Sequence, residues 1–393
     1  MTIPKGKILI TKLNNKLLSL LIRDNHILSV QVQRSDDHMV GNIYVGRVQN
    51  ISENIGAAFI DLGGGCLTFL PLSEAKHAFI VNRKADGPIK AGDEVLVQIT
   101  KEPMKTKLAG VTTALSLAGR YVVVGWRGTQ PSGMIQVSSK LSRKHQVSFR
   151  SMEALQEIAA NYQLIVRTNA AQLDSFEPLV AEAQALAAQL AHLIDIGDKR
   201  TCYSCLHREK PEYLSFIENA YTSEYDEIIT DLPEIYQELK VNIPLRLYED
   251  SILPLYKLYS LETRIQELLN RKVWMKSGAY LVIEPTEALI SIDVNSGKCE
   301  HGRNVEETFL RINMEAAETI AMHLRARNLS GMILVDFINL HKKEHVQQLM
   351  EYMKNLLKKD NVPADVIDMT GLGLMEITRK KVNPSFYEQY KAE

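Results

Sequence analysis

The sequence has 393 residues, 45% hydrophobic and 24% charged, with a formal net charge of −1. That length suits roughly two to four domains, and that balance excludes a disordered chain or a polycation, so any nucleic-acid role must come from local patches. No apolar run reaches the roughly 18 residues of a membrane helix. The opening MTIPKGKILITKLNNK has no long apolar stretch and no small-residue cleavage site, so it reads as a folded strand rather than a signal peptide. Four cysteines, Cys66, Cys202, Cys205 and Cys299, are too sparse for a disulfide framework and point to a reducing cytoplasm. The CYSC pair has no second pair beside it and reads as two incidental thiols.

In chain order, KILITKL, an NN turn and KLLSLLI form a hairpin pattern, with HILSVQV following. From Gly41 the texture changes to short strands cut by glycine: NIYVGRVQNI, GAAFIDLGGG, CLTFLPL, AGDEVLVQITK and AGVTTALSL. Five such strands predict a small Greek-key barrel of the OB type, with an arbitrary β-sandwich fragment as the alternative. Residues 119–150 hold Arg120, Arg127, Lys140, Arg143, Lys144 and Arg150 and no acidic residue, a local cationic surface, with an ordinary solvated face as the plain alternative. SMEALQEIAANY reads as a helix, NYQLIVRTNA as a strand ending in Arg167 and Thr168, and a long packing helix is expected from about Asp174 to Ile196. Residues 212–275 mix the helix LETRIQELLN with β-prone pieces that pattern alone does not order. Beyond Trp274 the text becomes α/β: strands AYLVIEP and ALISID, a helix over Val305–Arg327, strand MILVD, a second helix and strand ADVIDM.

Two of these strands end in a carboxylate. LISIDVNSG stops its apolar run at Asp293, with Asn295 two positions on, and GMILVDFIN stops at Asp336. Asn304 and Glu307 suit a capping box, and Val305, Phe309, Ile312, Ala316, Ile320 and Leu324 give the helix one packing face. A crossover of that length makes the strands parallel, so neighbouring strands bring both acids to one end of the sheet. Two close carboxylates repel, and a divalent cation relieves the conflict. Oxygen-only ligands favour magnesium or manganese, and such an ion polarises a phosphoryl oxygen. Lys298, His301 and Arg303 in KCEHGR suit a polyanion. An Asx turn remains the plain alternative for Asp-x-Asn.

SIDVNSG, the helix EETFLRINMEAAETIAMHLRARNLSGMILVDFINL and the barrel segment GNIYVGRVQNISENIGAAFIDLGGG together resemble the ribonuclease E/G family of bacterial endoribonucleases, from the barrel to about Pro384. The resemblance implies a multidomain α/β plus all-β fold. Its parts are a split RNase H-like domain (1–40 with 212–275), an inserted OB-type RNA-binding barrel (41–118), a 5′-sensor region (119–211) and a DNase I-like catalytic domain (276–393). It implies a magnesium-dependent endoribonuclease, with manganese as a substitute, that cleaves single-stranded A/U-rich RNA to 5′-phosphate and 3′-hydroxyl ends in RNA processing and decay. Asp293 and Asp336 would hold the metal and Asn295 assist at the phosphate. Phe59 and Phe69 resemble aromatics that stack on bases, and Lys107, Lys298 and Arg303 would line the RNA path. Arg167, Thr168, Ser139, Lys140 and Arg379 match the 5′-phosphate sensor, which favours 5′-monophosphorylated RNA. A C-P-x-C zinc-link expected after GLGLMEITRKKVNPS is not found, which implies no zinc-link and a monomer or an oligomer built otherwise. Asn339 stands where an acid is expected and is not counted as a ligand. The rival readings are an inactive RNA-binding protein of the same fold and a different magnesium-dependent phosphoryl-transfer enzyme.

Overall fold

The computed structural model describes residues 6–33, 40–84, 87–103, 107–126, 128, 133–241, 243–297 and 305–391. The chain divides into two units, Met1–Arg34 with Glu212–Glu393, and Ser35–Pro211. The first unit begins with an antiparallel meander of β1 (Gly6–Leu13), β2 (Lys16–Arg23) and β3 (His26–Val32). Its turns are Asn14–Asn15 and Asp24–Asn25, with φ of 51°, 60°, 48° and 66°. A two-residue hairpin loop needs positive φ at both positions, and Asn and Asp tolerate it best among non-glycine residues.

The second unit opens with β4 (Ile43–Ser52), β5 (Ala57–Asp61), β6 (Leu67–Pro71), β7 (Glu94–Lys101) and β8 (Ala109–Thr112). These pair in the order β4-β5-β6-β8-β7, and β7 returns to β4, closing a five-stranded barrel. Inward residues such as Val48, Ala58, Ile60, Leu70, Val95, Val97 and Val111 fill it. The predicted strand AGVTTALSL is in fact two. Thr112 ends the barrel, and β9 (Leu115–Ala118) begins a separate four-stranded sheet with β10 (Val122–Trp126), β11 (Ile135–Val137) and, after α1 (Arg143–Arg150) and α2 (Glu153–Ala159), β12 (Gln163–Val166).

The long helix α3 (Glu177–Gly197) covers that sheet through Leu179, Ala183, Ala187, Leu190 and Leu193. It is one helix long and apolar enough to cross a membrane, contrary to the reading from the sequence, but this buried stripe is that of a packing helix. A short strand β13 (Cys205–His207) then pairs with β4.

The chain returns to the first unit through α4 (Glu212–Asn219), β14 (Tyr225–Thr230), α5 (Pro233–Glu238) and β15 (Leu245–Leu247). Strand β14 lies parallel to both β1 and β15, giving the order β15-β14-β1-β2-β3. After α6 (Leu255–Leu258) and α7 (Leu261–Leu269) come β16 (Lys272–Trp274), β17 (Tyr280–Pro285), β18 (Ile290–Asn295), α8 (Val305–Ala326), β19 (Gly331–Asp336), α9 (Lys343–Leu357), β20 (Ala364–Met369), β21 (Leu374–Arg379) and α10 (Phe386–Lys391). The last six strands form one mixed sheet, β16-β17-β18-β19-β21-β20, in which only β18 and β19 are parallel.

Both long helices cover a single face of this sheet. Ile312, Ala316, Ile320 and Leu324 of α8 and Leu349, Met353 and Leu357 of α9 pack on Leu281, Ile283, Ile292, Val294, Ile333, Val335 and Ile377. Val305, expected on that packing face, is exposed. Strand alternation sends Ser291, Asp293, Met332 and Asp336 to the opposite, exposed face.

Candidate catalytic and RNA-binding sites

Asp293 and Asp336 are register partners at the ends of the parallel strands β18 and β19, both exposed on the helix-free face. Adjacent strands lie about 4.8 Å apart, so the carboxylates stand side by side. The amide of Asn295 donates through Nδ2 to Asp293 Oδ2 at 2.6 Å, which orients that carboxylate. Gly297 has φ +61°, and a Cβ there would meet the carbonyl oxygen of Gly278 at 2.4 Å. Only glycine lets the turn after Asn295 pass this close to the turn joining β16 to β17.

The loop after Asp336 is held from below by two side chains that the sequence did not single out. Asn313, fully buried on α8, donates Nδ2 to the carbonyl of Ile338 at 2.7 Å and accepts the Ile338 N–H through Oδ1 at 3.1 Å. The Glu306 carboxylate accepts the N–H groups of His341 and Lys342, each at 3.0 Å. Those contacts, the Lys342 N–H first, hold its carboxyl below the usual range. A polar residue at a packing position of an apolar helix is the signal that could have found Asn313. Asn339 is exposed and carries no acid to the pair.

Among the described residues no group of three or more His, Cys, Asp or Glu could hold a metal ion. An ion at Asp293 and Asp336 would therefore have two protein carboxylates, a donor set that fits magnesium, which keeps several waters, and not a closed zinc site. Cys202 and Cys205 are half-buried free thiols. Burial pushes the Cys202 thiol up, away from the thiolate that ligation needs. Lys298, His301, Arg303 and the expected cap Asn304 lie outside the described residues.

In the barrel, Phe59 and Phe69 are register partners on β5 and β6. Their rings sit 6.3 Å apart at 80° and are half-buried, facing away from the barrel core. Lys107 is exposed just before β8. The parallel strands β11 and β12 bring Ser138 and Thr168 together, their hydroxyls 2.9 Å apart. The Lys140 N–H points to Ser138 Oγ at 3.4 Å, whereas Ser139 is exposed. Arg167 donates one arm to the carbonyl of Gly119. The acid-free segment finds its acid on α3, where Glu182 accepts the N–H groups of Arg120, Tyr121 and Val122 at 2.8, 2.7 and 3.1 Å.

Arg379 corrects an expectation. It was expected at a phosphate pocket, but its side chain is 1% exposed. Nε donates to Asp360 Oδ2 at 2.8 Å, and Nη1 donates to Asn328 Oδ1 at 2.9 Å and to the carbonyl of Leu329 at 3.0 Å. A guanidinium committed in this way ties β21 to the ends of α8 and α9 and offers no surface to a ligand.

A closed barrel with an outward aromatic pair, on one chain with an open sheet presenting paired carboxylates, defines an RNA-binding protein with a candidate phosphoryl-transfer site. Residues 37–111 match the S1 RNA binding domain. Residues 116–382 match the Ribonuclease E/G family, and the chain belongs to that family. It is 30% identical over 372 residues to Ribonuclease G of Escherichia coli K12, covering 88% of this chain and 74% of that protein. A putative ribonuclease E of Buchnera aphidicola subsp. Baizongia pistaciae is also 30% identical, over 94% of this chain and 95% of its own length. Ribonuclease E of Haemophilus influenzae and of Escherichia coli K12 match at 30% as well, but the chain spans only 38% and 34% of their lengths.

Proposed function

We propose that this chain is an endoribonuclease that cuts single-stranded, A/U-rich RNA to 5′-phosphate and 3′-hydroxyl products in cytoplasmic RNA processing and decay. The observation that carries this reading is the Asp293–Asp336 register pair on the open face of its sheet. Asp293 and Asp336 would hold a magnesium ion, with manganese as substitute. When bound, such an ion supplies charge stabilisation to the phosphoryl oxygens and lowers the pKa of an attacking water. Asn295 fixes the Asp293 carboxylate and keeps a second amide N–H for a phosphate oxygen. Neutral Asn at this position adds no negative charge to repel the substrate.

The other parts take matching roles. Phe59 and Phe69 stack on bases and Lys107 tracks the backbone, which holds the strand single and extended. The strand order β15-β14-β1-β2-β3 supports the RNase H-like reading of the divided domain, and the mixed sheet under α8 and α9 the DNase I-like one. Arg167, Thr168 and Lys140, with Ser138 in place of Ser139, form a donor cluster for a terminal monophosphate, whose three oxygens and extra charge distinguish it from an internal one.

The test is cleavage of a short A/U-rich RNA with magnesium as the only divalent ion. Asp293→Asn and Asp336→Asn should each abolish cutting while RNA affinity persists. Near-wild-type turnover in either variant would remove the metal assignment.

A further inference from the structure

The helix-free face of the catalytic sheet carries a second cluster, which the function proposed above leaves unused. Trp274, Tyr280 and Asn295 are successive register partners across β16, β17 and β18. The next rung of the same face is Lys272, Val282, Asp293 and Asp336. Trp274 is 64% exposed. Its ring lies 5.1 Å from that of Tyr280, tilted by 58°. The Lys272 ammonium sits 4.1 Å from the Trp274 centroid and 3.6 Å from that of Tyr280. Among the described residues this lysine has no carboxylate partner. By contrast Glu284, on the same face, is paired with Arg271.

Cross-strand aromatic and cation–π contacts of this kind add a little to the fold, but a tryptophan this exposed on a three-residue edge strand leaves much of its ring free for another partner. The cluster has the chemistry of a nucleotide site. An indole face accepts any base by stacking, and an ammonium held over aromatic rings is oriented by their quadrupoles and keeps its charge for a phosphate. Its place fits as well. With strands about 4.8 Å apart, Tyr280 adjoins Asn295, and Trp274 and Lys272 stand about 10 Å from the Asn295–Asp293 strand, the reach of a neighbouring nucleotide rather than of the one being cut.

We infer that Trp274, Tyr280 and Lys272 form a stacking subsite on the catalytic sheet. It seats the base of a nucleotide flanking the scissile phosphate on Trp274 and that nucleotide's phosphate on Lys272. This rests on the placement of the cut at Asp293 and Asp336. The subsite positions the strand and takes no part in the chemistry. It supplies a base-tolerant contact on the catalytic unit itself, separate from the barrel's aromatic pair.

Two measurements test it. The chain has two tryptophans, so Trp126→Phe leaves Trp274 as the only indole. In a Trp126→Phe, Asp336→Asn protein, titration with short single-stranded RNA should quench Trp274 fluorescence saturably. In otherwise wild-type protein, Trp274→Ala should raise KM roughly 5- to 150-fold, the range that loss of one stacked base gives, with kcat little changed and Trp274→Phe largely restoring KM. RNAs shortened stepwise from each end locate the base: wild type should lose affinity at one particular nucleotide, and Trp274→Ala should show no loss there. The inference fails if RNA binds without quenching, if KM is unchanged, or if Trp274→Ala weakens every shortened RNA equally. A shift in sedimentation with KM unchanged would make Trp274 a contact between copies and would also overturn it. Failure of the underlying reading looks different: Asp336→Asn would still cut.

Discussion

Replacing Arg379 by methionine separates a structural arginine from a phosphate-binding one. The guanidinium faces Asp360, whose side chain is 5% exposed, and it also donates to Asn328 and Leu329. Arg379→Met keeps most of the volume but leaves the Asp360 carboxylate buried beside an apolar chain. Removing one member of a buried pair costs about 3–5 kcal/mol. In a unit of this size each kcal/mol moves the melting temperature by about 2–4 °C, so the variant should melt about 6–20 °C lower, read by circular dichroism. Asp360→Leu added to Arg379→Met removes the stranded charge and should recover much of the loss. Cleavage of 5′-monophosphorylated and 5′-hydroxyl RNA, measured well below the melt, should fall by the same factor. A variant that melts like wild type but loses its preference for the monophosphate would refute the structural assignment and return Arg379 to the sensor.

Phe59→Ala and Phe69→Ala should each weaken single-stranded RNA binding by roughly 1–3 kcal/mol; a fall in melting temperature with affinity intact would mean the half-buried rings serve the barrel instead. Arg167→Ala should slow cleavage of monophosphorylated RNA on the order of 10–100-fold, one charge-assisted contact, and leave a 5′-hydroxyl RNA nearly unaffected; equal slowing of both would assign Arg167 to packing. His323 accepts a hydrogen bond from Arg327 at 3.0 Å, and burial first, then the Arg327 charge, pushes its pKa down to about 3. The unfolded chain, with an ordinary His near 6.5, binds that proton first, so stability should fall as pH drops from about 6.5 towards 3. His323→Gln should flatten this slope in thermal melts across that range, and an unchanged slope would place the acid sensitivity elsewhere.

What the sequence disclosed tracks how local each signal is. The Asn14–Asn15 turn, most of the glycine-cut barrel strands and the β18–α8–β19 crossover are written in contiguous residues and appear where expected, whereas the break of AGVTTALSL into two strands of different sheets leaves no local mark. Strand β21 leaves little local trace because its buried face, Met375, Ile377 and Arg379, includes a charged residue, although it separates β19 from β20. The order of residues 212–275 was illegible because β14 pairs with β1, more than 200 positions earlier in the chain, and no periodicity records that. At the candidate site the acids were readable as abrupt ends of apolar runs. Asn313 was hidden among helix residues, and the rung joining Trp274 to Asn295 depends on a register that only folding fixes. The burial of Arg379 is not legible either, since a basic residue in a polar tail gives no local sign that Asp360 lies beneath it.

The divided first unit has a consequence for synthesis. Strand β1 leaves the ribosome before its parallel partner β14, which follows only after the whole of Ser35–Pro211. Until then β1 presents a bare edge with Ile8, Leu9 and Ile10 beside it, the kind of surface that recruits stray strands. Gln33 accepts the N–H of Glu212 at 2.9 Å, so the two crossing points of the chain are finally stapled side by side. An insert that folds before Glu212 appears shortens the loop to be closed and guides β14 to its vacant edge. The pace at which the second unit folds therefore sets how long that edge of β1 waits unpaired in the nascent chain.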